Sequence, residues 1–101
     1  MDRAVDVFLV YFDLGGGSAA WSEQGFAGGF VTCFVPNDDL LQAVEAGKAA
    51  LVEDGYEVVS VDKVLRYDPD EWDHDEVVRS AVAECCRTKK INYSPFSVWG
   101  H

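Results

Sequence analysis

The chain has 101 residues, of which 49% are hydrophobic and 13% aromatic, and its formal net charge is −10 at pH 7. This length predicts a single domain over residues 1–101 with an adequate core, and the apolar content is too high for a disordered chain. The negative field repels nucleic-acid phosphates and anionic membranes, whereas it favours solubility and attracts basic proteins. We therefore expect neither nucleic-acid nor membrane binding.

Targeting features predict a cytoplasmic protein. The apolar run at 7–12 is too short for a secretory leader and follows acidic rather than basic residues. No segment has the roughly 20 apolar residues needed to span a bilayer. The cysteines Cys33, Cys85 and Cys86 form an odd set without a disulfide pattern, which is typical of a reducing compartment.

Two strands joined by a glycine-rich loop open the chain. The segments 5–13 and 30–35 are apolar on both faces, which is typical of strands that are covered on both sides. Between them, the stretch 14–29 holds six glycines, which predicts a mobile loop that reverses the chain. The loop also contains two large aromatic residues, Trp21 and Phe26.

A helix and a third strand follow the hairpin. Apolar residues recur at helical spacing after a predicted N-cap at Asn37, and Gly55 is a C-cap signal. This pattern predicts a helix over 38–54. The segment 56–67 predicts the third strand, and its mixed pattern beyond Val61 indicates a bulge or a strand that outruns the sheet.

The acidic run at 68–76 and an aromatic C-terminal segment complete the pattern. A proline-containing turn opens the run, and a second capping signal within it predicts the main helix over 74–88. The segment 91–99 predicts a last strand, which Pro95 either confines to a sheet edge or breaks.

The element order ββαβαβ predicts an α+β fold. We expect a single mixed, mainly antiparallel sheet of three to four strands with two helices packed on it. Placing the first strand between the second and the third explains why both of its faces are apolar. The C-terminal segment then closes a sheet edge or contacts another subunit.

The acidic run contains the first candidate site. Its composition fits a capped helix start, a surface that docks a basic partner, or a cation site. A calcium loop would need a glycine at its sharp turn and a bidentate glutamate at its twelfth position, and the run has neither. The predicted partner-binding residues are Asp68, Asp70, Glu71, Trp72, Asp73 and Asp75.

Catalytic candidates are few. His74 is the only histidine before the terminal His101, and no serine or cysteine stands in a nucleophile motif. Adjacent Cys85 and Cys86 point to different sides of a helix, and the spacing of the Cys and His residues is not typical of zinc. The sequence therefore predicts no enzyme, no metal and no cofactor.

Aromatic residues form two further candidate sites. The glycine-rich loop lacks the lysine of a P-loop, but Trp21 and Phe26 are candidates for binding a small ligand. In the C-terminal segment, Tyr93, Phe96 and Trp99 fit either core packing or a homodimer contact, because an aromatic edge strand can pair with a second copy.

The stretch 29–67 consists of a strand, an Asn-Asp-Asp cap, an alanine-rich helix and the strand EDGYEVVSVDKV. This layout resembles that of small uncharacterised bacterial proteins, some carried on mobile gene cassettes and some of the immunity type that neutralises toxins. The resemblance implies an inhibitory binding role and transfers no functional residue. Likeness at the level of a fold says little about activity.

Three functional hypotheses follow. The first is a small acidic protein that docks a basic protein partner, as immunity proteins do. The second is a dimeric module that binds a small molecule in a pocket between the sheet and the glycine-rich loop. The third is an enzyme that uses His74 and nearby carboxylates, and no motif supports it.

Overall fold

The computed structural model describes residues 6–21, 23–71 and 75–100. The chain forms an α+β fold with one antiparallel sheet and two helices, as predicted, but the sheet has five strands in the order ββαβαββ. The predictions of three to four strands and of the order ββαβαβ were therefore wrong. The strands are β1 (Val7–Gly15), β2 (Gly28–Pro36), β3 (Glu57–Arg66), β4 (Asn92–Tyr93) and β5 (Ser97–Trp99), and the helices are α1 (Leu40–Glu53) and α2 (Glu76–Thr88).

The C-terminal segment contributes the extra strand. Pro95 divides it into two short strands, because proline lacks the N–H group that a ladder requires. β4 and β5 both pair with the edge of β2 that faces away from β1. Between them, Ser94 donates its N–H to the Thr32 carbonyl and accepts the Thr32 N–H on its hydroxyl, at 2.9 and 3.0 Å. The segment therefore closes an edge of its own sheet.

β1 is the central strand, as its two apolar faces predict. The sheet order is β3-β1-β2-β4, and β1 pairs with β2 along its whole length, from Val7 opposite Pro36 to Gly15 opposite Gly28. The pairing of β1 with β3 shifts register twice, at Asp62 and at Val59. These shifts confirm the predicted irregularity of the third strand.

The two helices lie on opposite faces of the sheet. Alternate residues of β1 face α1 and form the main core together with residues of β2 and the helix: Phe8, Val10, Phe12, Leu14, Val31, Cys33, Val35, Ala43 and Leu51. The intervening residues face α2 and form a smaller core: Val7, Leu9, Phe34, Val82 and Cys85. Because both faces of β1 and β2 are partly covered, their sequences are apolar at consecutive positions.

Local signals fix the first helix with one change from the prediction. Asp39 is the N-cap, since its Oδ1 accepts the Gln42 N–H at 2.9 Å, and Asn37 instead accepts the N–H of Asp39 at 2.8 Å. The helix ends before Gly55, whose φ of 94° is the left-handed conformation that glycine adopts readily.

A glycine at the junction of β2 and β5 allows a testable prediction. A methyl group on Gly29 would lie 2.5 Å from the carbonyl oxygen of Ser97 and 2.8 Å from Cη2 of Trp21. We expect Gly29→Ala to lower the free energy of unfolding by about 1–3 kcal/mol, measured by urea denaturation, because overpacking displaces β5 or the indole. Gly100→Ala is the control, since its added methyl group meets no atom within 4 Å. Equal stability of the two variants would contradict the pairing of β5 with β2.

Candidate functional site

Carboxylates from three separate segments lie at one end of the sheet. β1 begins there, whereas β2 and β3 end there, because these neighbouring strands are antiparallel. Asn37 donates its N–H to the Asp6 carbonyl at 3.0 Å, and Tyr67 donates to the Val7 carbonyl at 2.8 Å. The six acidic residues in the chain segments that begin or follow these strands are what we call the acidic end: Asp6, Asp38, Asp39, Asp68, Asp70 and Glu71.

Backbone hydrogen bonds order several of these carboxylates. Asp38 Oδ1 accepts the Asp6 N–H at 3.1 Å, and Asp68 Oδ1 accepts the Asp70 N–H at 3.0 Å. Asp39 caps α1 in the same way. All the residues of the acidic end except Asp6 are exposed. The carboxylates are therefore held in place and remain accessible to a partner.

Within the part of the chain that the structure describes, Arg66 forms an ion pair with this end. Its Nε lies 3.8 Å from Asp6 Oδ2, and its guanidinium carbon lies 5.5 Å from the centroid of the Phe8 ring. A partly exposed ion pair of this kind contributes about 0–1 kcal/mol. One guanidinium offsets only part of the charge of six carboxylates, so the described side chains of the acidic end give it a negative potential.

The structure places the predicted partner-binding residues in two different elements. Asp68, Asp70 and Glu71 lie in an exposed turn after β3, with the Glu71 N–H donated to the Asp68 carbonyl at 3.0 Å. Asp75 is instead the N-cap of α2, where its Oδ1 accepts the Val78 N–H at 3.1 Å. The other two predicted residues and the candidate catalytic histidine lie outside the described residues: Trp72, Asp73 and His74.

Sequence reasoning missed half of the acidic end. Asp38 and Asp39 were interpreted only as part of the cap of the first helix, and Asp6 only as a residue inside the first predicted strand, 5–13. The predicted position of the first strand between the second and the third contained the missing signal. Where the first strand is antiparallel to both neighbours, its start lies beside the ends of the second and third strands.

A second surface lies on the face that α2 covers only in part. Beyond Leu9, side chains on this face are exposed or half-buried, and we call them the open face: Tyr11, Asp13, Phe30, Val59, Lys63 and Trp99. Lys63 Nζ lies 4.7 Å from the centroid of the Tyr11 ring, and Ser60 donates its hydroxyl to Asp13 Oδ2 at 2.8 Å. Burial raises the pKa of Tyr11 above 10, with a smaller contribution in the same direction from the charge of Asp75.

A cleft of about 260 Å³ opens on this face. Its lining includes Tyr11, Phe30, Asp62 and Lys63, which come from β1, β2 and β3 rather than from the glycine-rich loop. This cleft therefore does not lie between the sheet and that loop, where the sequence predicted a ligand pocket.

The two aromatic residues of the glycine-rich loop pack inward. Trp21 is 6% exposed, and its ring makes edge contacts with Phe26 and Tyr56 at centroid distances of 5.7 and 5.5 Å. The loop is tied to β3, because Gly17 donates its N–H to Glu57 Oε1 at 3.1 Å and Ser18 Oγ accepts the Glu57 N–H at 2.8 Å. Ligand binding by Trp21 and Phe26 stays a prediction.

The predicted dimer residues have different environments. Phe96 stacks on Tyr56 at 4.8 Å, and Tyr93 meets Phe96 edge-on at 5.8 Å, so both rings pack against the main core. Trp99 lies on the open face and is 47% exposed. A homodimer contact through these residues stays a prediction, for which Trp99 offers the most accessible ring of the three.

The buried cysteines are poor nucleophiles. Burial raises the pKa of Cys33 to about 12 and the pKa of Cys85 to about 11. Both thiols are therefore protonated at neutral pH.

Over the described ranges, no group of three or more His, Cys, Asp or Glu side chains is placed to hold a metal ion. Neither helix in the part of the chain that the structure covers is long and apolar enough to cross a bilayer.

Comparison with known proteins finds no family model, no curated protein and no solved structure that matches this chain.

Thiol labelling tests the placement of the cysteines. We expect iodoacetamide at about pH 8 to modify half-buried Cys86 first, because deprotonation of Cys33 and Cys85 is disfavoured and both are buried. Mass spectrometry of timed samples measures the order, and protein unfolded in urea is the control in which the three rates converge. Early labelling of Cys33 in the folded protein would contradict its position in the core.

The hydroxyl of Tyr93 gives a prediction about pH. It donates to Asp54 Oδ2 at 2.8 Å, and burial together with this carboxylate raises the pKa of Tyr93 well above 10. A raised pKa in the folded state means that this stabilisation is present below about pH 10 and is lost as the pH rises further. We expect Tyr93→Phe to be about 1 kcal/mol less stable at neutral pH, with a shallower loss of stability above about pH 10.

Urea denaturation at a series of pH values measures both effects. Asp54→Asn keeps an acceptor but removes the charge, so in that variant the Tyr93 pKa should move back towards its ordinary value. Identical pH profiles for wild type and Tyr93→Phe would show that the bond to Asp54 contributes nothing to stability.

Proposed function

We propose that this chain is a binding protein that docks a basic protein partner through its acidic end, in the manner of an immunity-type inhibitor. The observation that supports this proposal is the convergence of six carboxylates from three segments, with Arg66 as their paired cation. No local motif requires this convergence, because all three segments are far apart in sequence.

The distribution of charge supports the same function. In α2, Arg79 and Arg87 lie within ion-pair distance of Glu76 and Glu84, so two of the eight basic residues are paired within their own helix. At the acidic end, the ion pair seen among the described residues joins Arg66 to Asp6. A net charge of −10 attracts a basic partner over about one Debye length and accelerates its association.

The ordering of the carboxylates favours binding over mere solubility. Solubility requires only charge, whereas Asp38, Asp39 and Asp68 are each fixed by a backbone N–H. Groups that are already ordered lose less conformational entropy when they pair with lysine or arginine. Electrostatic complementarity of this kind contributes chiefly to association rate and specificity.

The test compares two triple variants that lose the same charge. One is Asp38→Asn, Asp68→Asn, Asp70→Asn at the acidic end, and its asparagines preserve the backbone hydrogen bonds. The control is Glu23→Gln, Glu45→Gln, Glu53→Gln, which neutralises three exposed carboxylates elsewhere. The probe is a synthetic peptide rich in lysine and arginine, and its binding is measured by calorimetry at low and at physiological salt.

We expect the acidic-end variant to lose about tenfold in affinity, which corresponds to about 1.4 kcal/mol, and the control to lose much less. Wild-type binding should weaken as salt rises. Equal losses in the two variants would show that net charge alone attracts the peptide, and an unchanged acidic-end variant would exclude this end as the docking site.

A further inference from the structure

We propose that the open face is a second docking surface and that it receives a cationic amphipathic helix of a partner protein. This surface is separate from the acidic end. It lies toward the opposite end of the sheet, where β1 ends at Gly15 and β2 begins at Gly28. The proposal does not depend on the acidic end, and its test distinguishes the two surfaces.

The open face exposes three apolar side chains, and two of them adjoin each other. Phe30 is 49% exposed, Trp99 47% and Val59 63%. The rings of Phe30 and Trp99 lie 5.8 Å apart at their centroids. Single exposed apolar residues are normal on a protein surface, whereas adjoining ones are typical of an interaction site.

Two paired glycines shape this surface. Gly15 and Gly28 lie opposite each other in the ladder between β1 and β2. A Cβ on Gly28 would lie 2.8 Å from Cζ2 of Trp99, and one on Gly15 would overlap the carboxylate of Glu57 and lie 3.0 Å from Cγ2 of Val59. The missing side chains therefore let Trp99, Glu57 and Val59 lie close over the backbone of the sheet.

The rest of the same face indicates which element fits. α2 covers the part of this face around Leu9 and Phe34, through Val82 and Cys85. A sheet face that packs against one helix has the spacing and pleat to pack against another beside it. An amphipathic helix would bury Phe30 and Trp99 as α2 buries Leu9 and Phe34.

The charges around the surface indicate the chemistry of that helix. Three carboxylates border the apolar residues, from Asp13, Glu57 and Asp62. Lys63 lies among them, but its ammonium group is placed over the Tyr11 ring. Lysine or arginine on the flanks of an apolar helix stripe would complement these groups. A second copy of this chain would instead bring another net charge of −10 to the interface.

The test uses two synthetic peptides of identical composition. One carries leucines at helical spacing with lysines at the remaining positions, and the other is a scrambled sequence without an apolar stripe. Binding of each labelled peptide is measured by fluorescence anisotropy. The open-face variant is Phe30→Thr, Val59→Thr, and its control is Leu41→Gln, Val52→Gln, which removes exposed apolar side chains from α1 instead.

We expect wild type to bind the amphipathic peptide at least about tenfold more tightly than the scrambled one. The Phe30→Thr, Val59→Thr variant should lose this preference, whereas the α1 control and the acidic-end variant should keep it. Circular dichroism should show that both apolar variants remain folded, since all four replaced side chains are exposed.

Three results would overturn the proposal. One is the absence of any preference in wild type, and another is a preference that survives in Phe30→Thr, Val59→Thr. The third is a wild-type dimer in sedimentation analysis that this variant abolishes, since a second copy would then occupy the surface. If the acidic-end variant binds the scrambled peptide as wild type does, the proposed function fails while the open-face proposal stands.

Discussion

The rest of the structure depends on burying both faces of β1. Phe12 packs toward α1 and Leu9 toward α2, and neither side chain is exposed to solvent. Burial of a side chain of this size contributes about 1.5–3 kcal/mol to stability. If one face or one edge of β1 were open, much of this stabilisation would be lost. The strand therefore needs a neighbour on each side and a helix on each face.

The two surfaces follow from that requirement and from the length of the chain. The antiparallel neighbours of β1 bring three strand termini to one end, and each terminus carries the polar residues that stop a strand or cap a helix. On the α2 side, one helix of 13 residues covers the region around Leu9 and leaves the region around Phe30 exposed. The two proposed binding surfaces are thus the strand ends and the part of the sheet face that the core does not bury.

The sequence predicted some elements well because their signals are local. The helix α1, the central position of β1 and the irregular β3 could all be recognised from periodicity, from glycine and from apolar runs. The C-terminal segment was harder, since Pro95 was compatible with one edge strand or with two short ones. The outcome depended on the edge of β2, where Ser94 bridges the interruption by pairing with Thr32.

Some residues of the candidate surfaces could likewise be predicted from local signals, whereas others depended on tertiary contacts. Asp68, Asp70 and Glu71 could be predicted because a run of carboxylates is visible in the sequence, and their exposure follows from their charge. The contribution of Asp6, Asp38 and Asp39, and the partnership of Phe30 with Trp99, depend on pairing between residues that are distant along the chain.

By itself, the sequence therefore determined the identity of most elements, the acidic character of the protein and the double burial of β1, because these properties depend on composition and on residues a few positions apart. The tertiary structure alone decided which carboxylates lie together, that Trp21 and Phe96 pack inward while Trp99 remains exposed, and which half of a sheet face stays open. Those outcomes depend on strand register and on the position at which a short helix packs. A pattern of neighbouring residues in the sequence specifies neither of these.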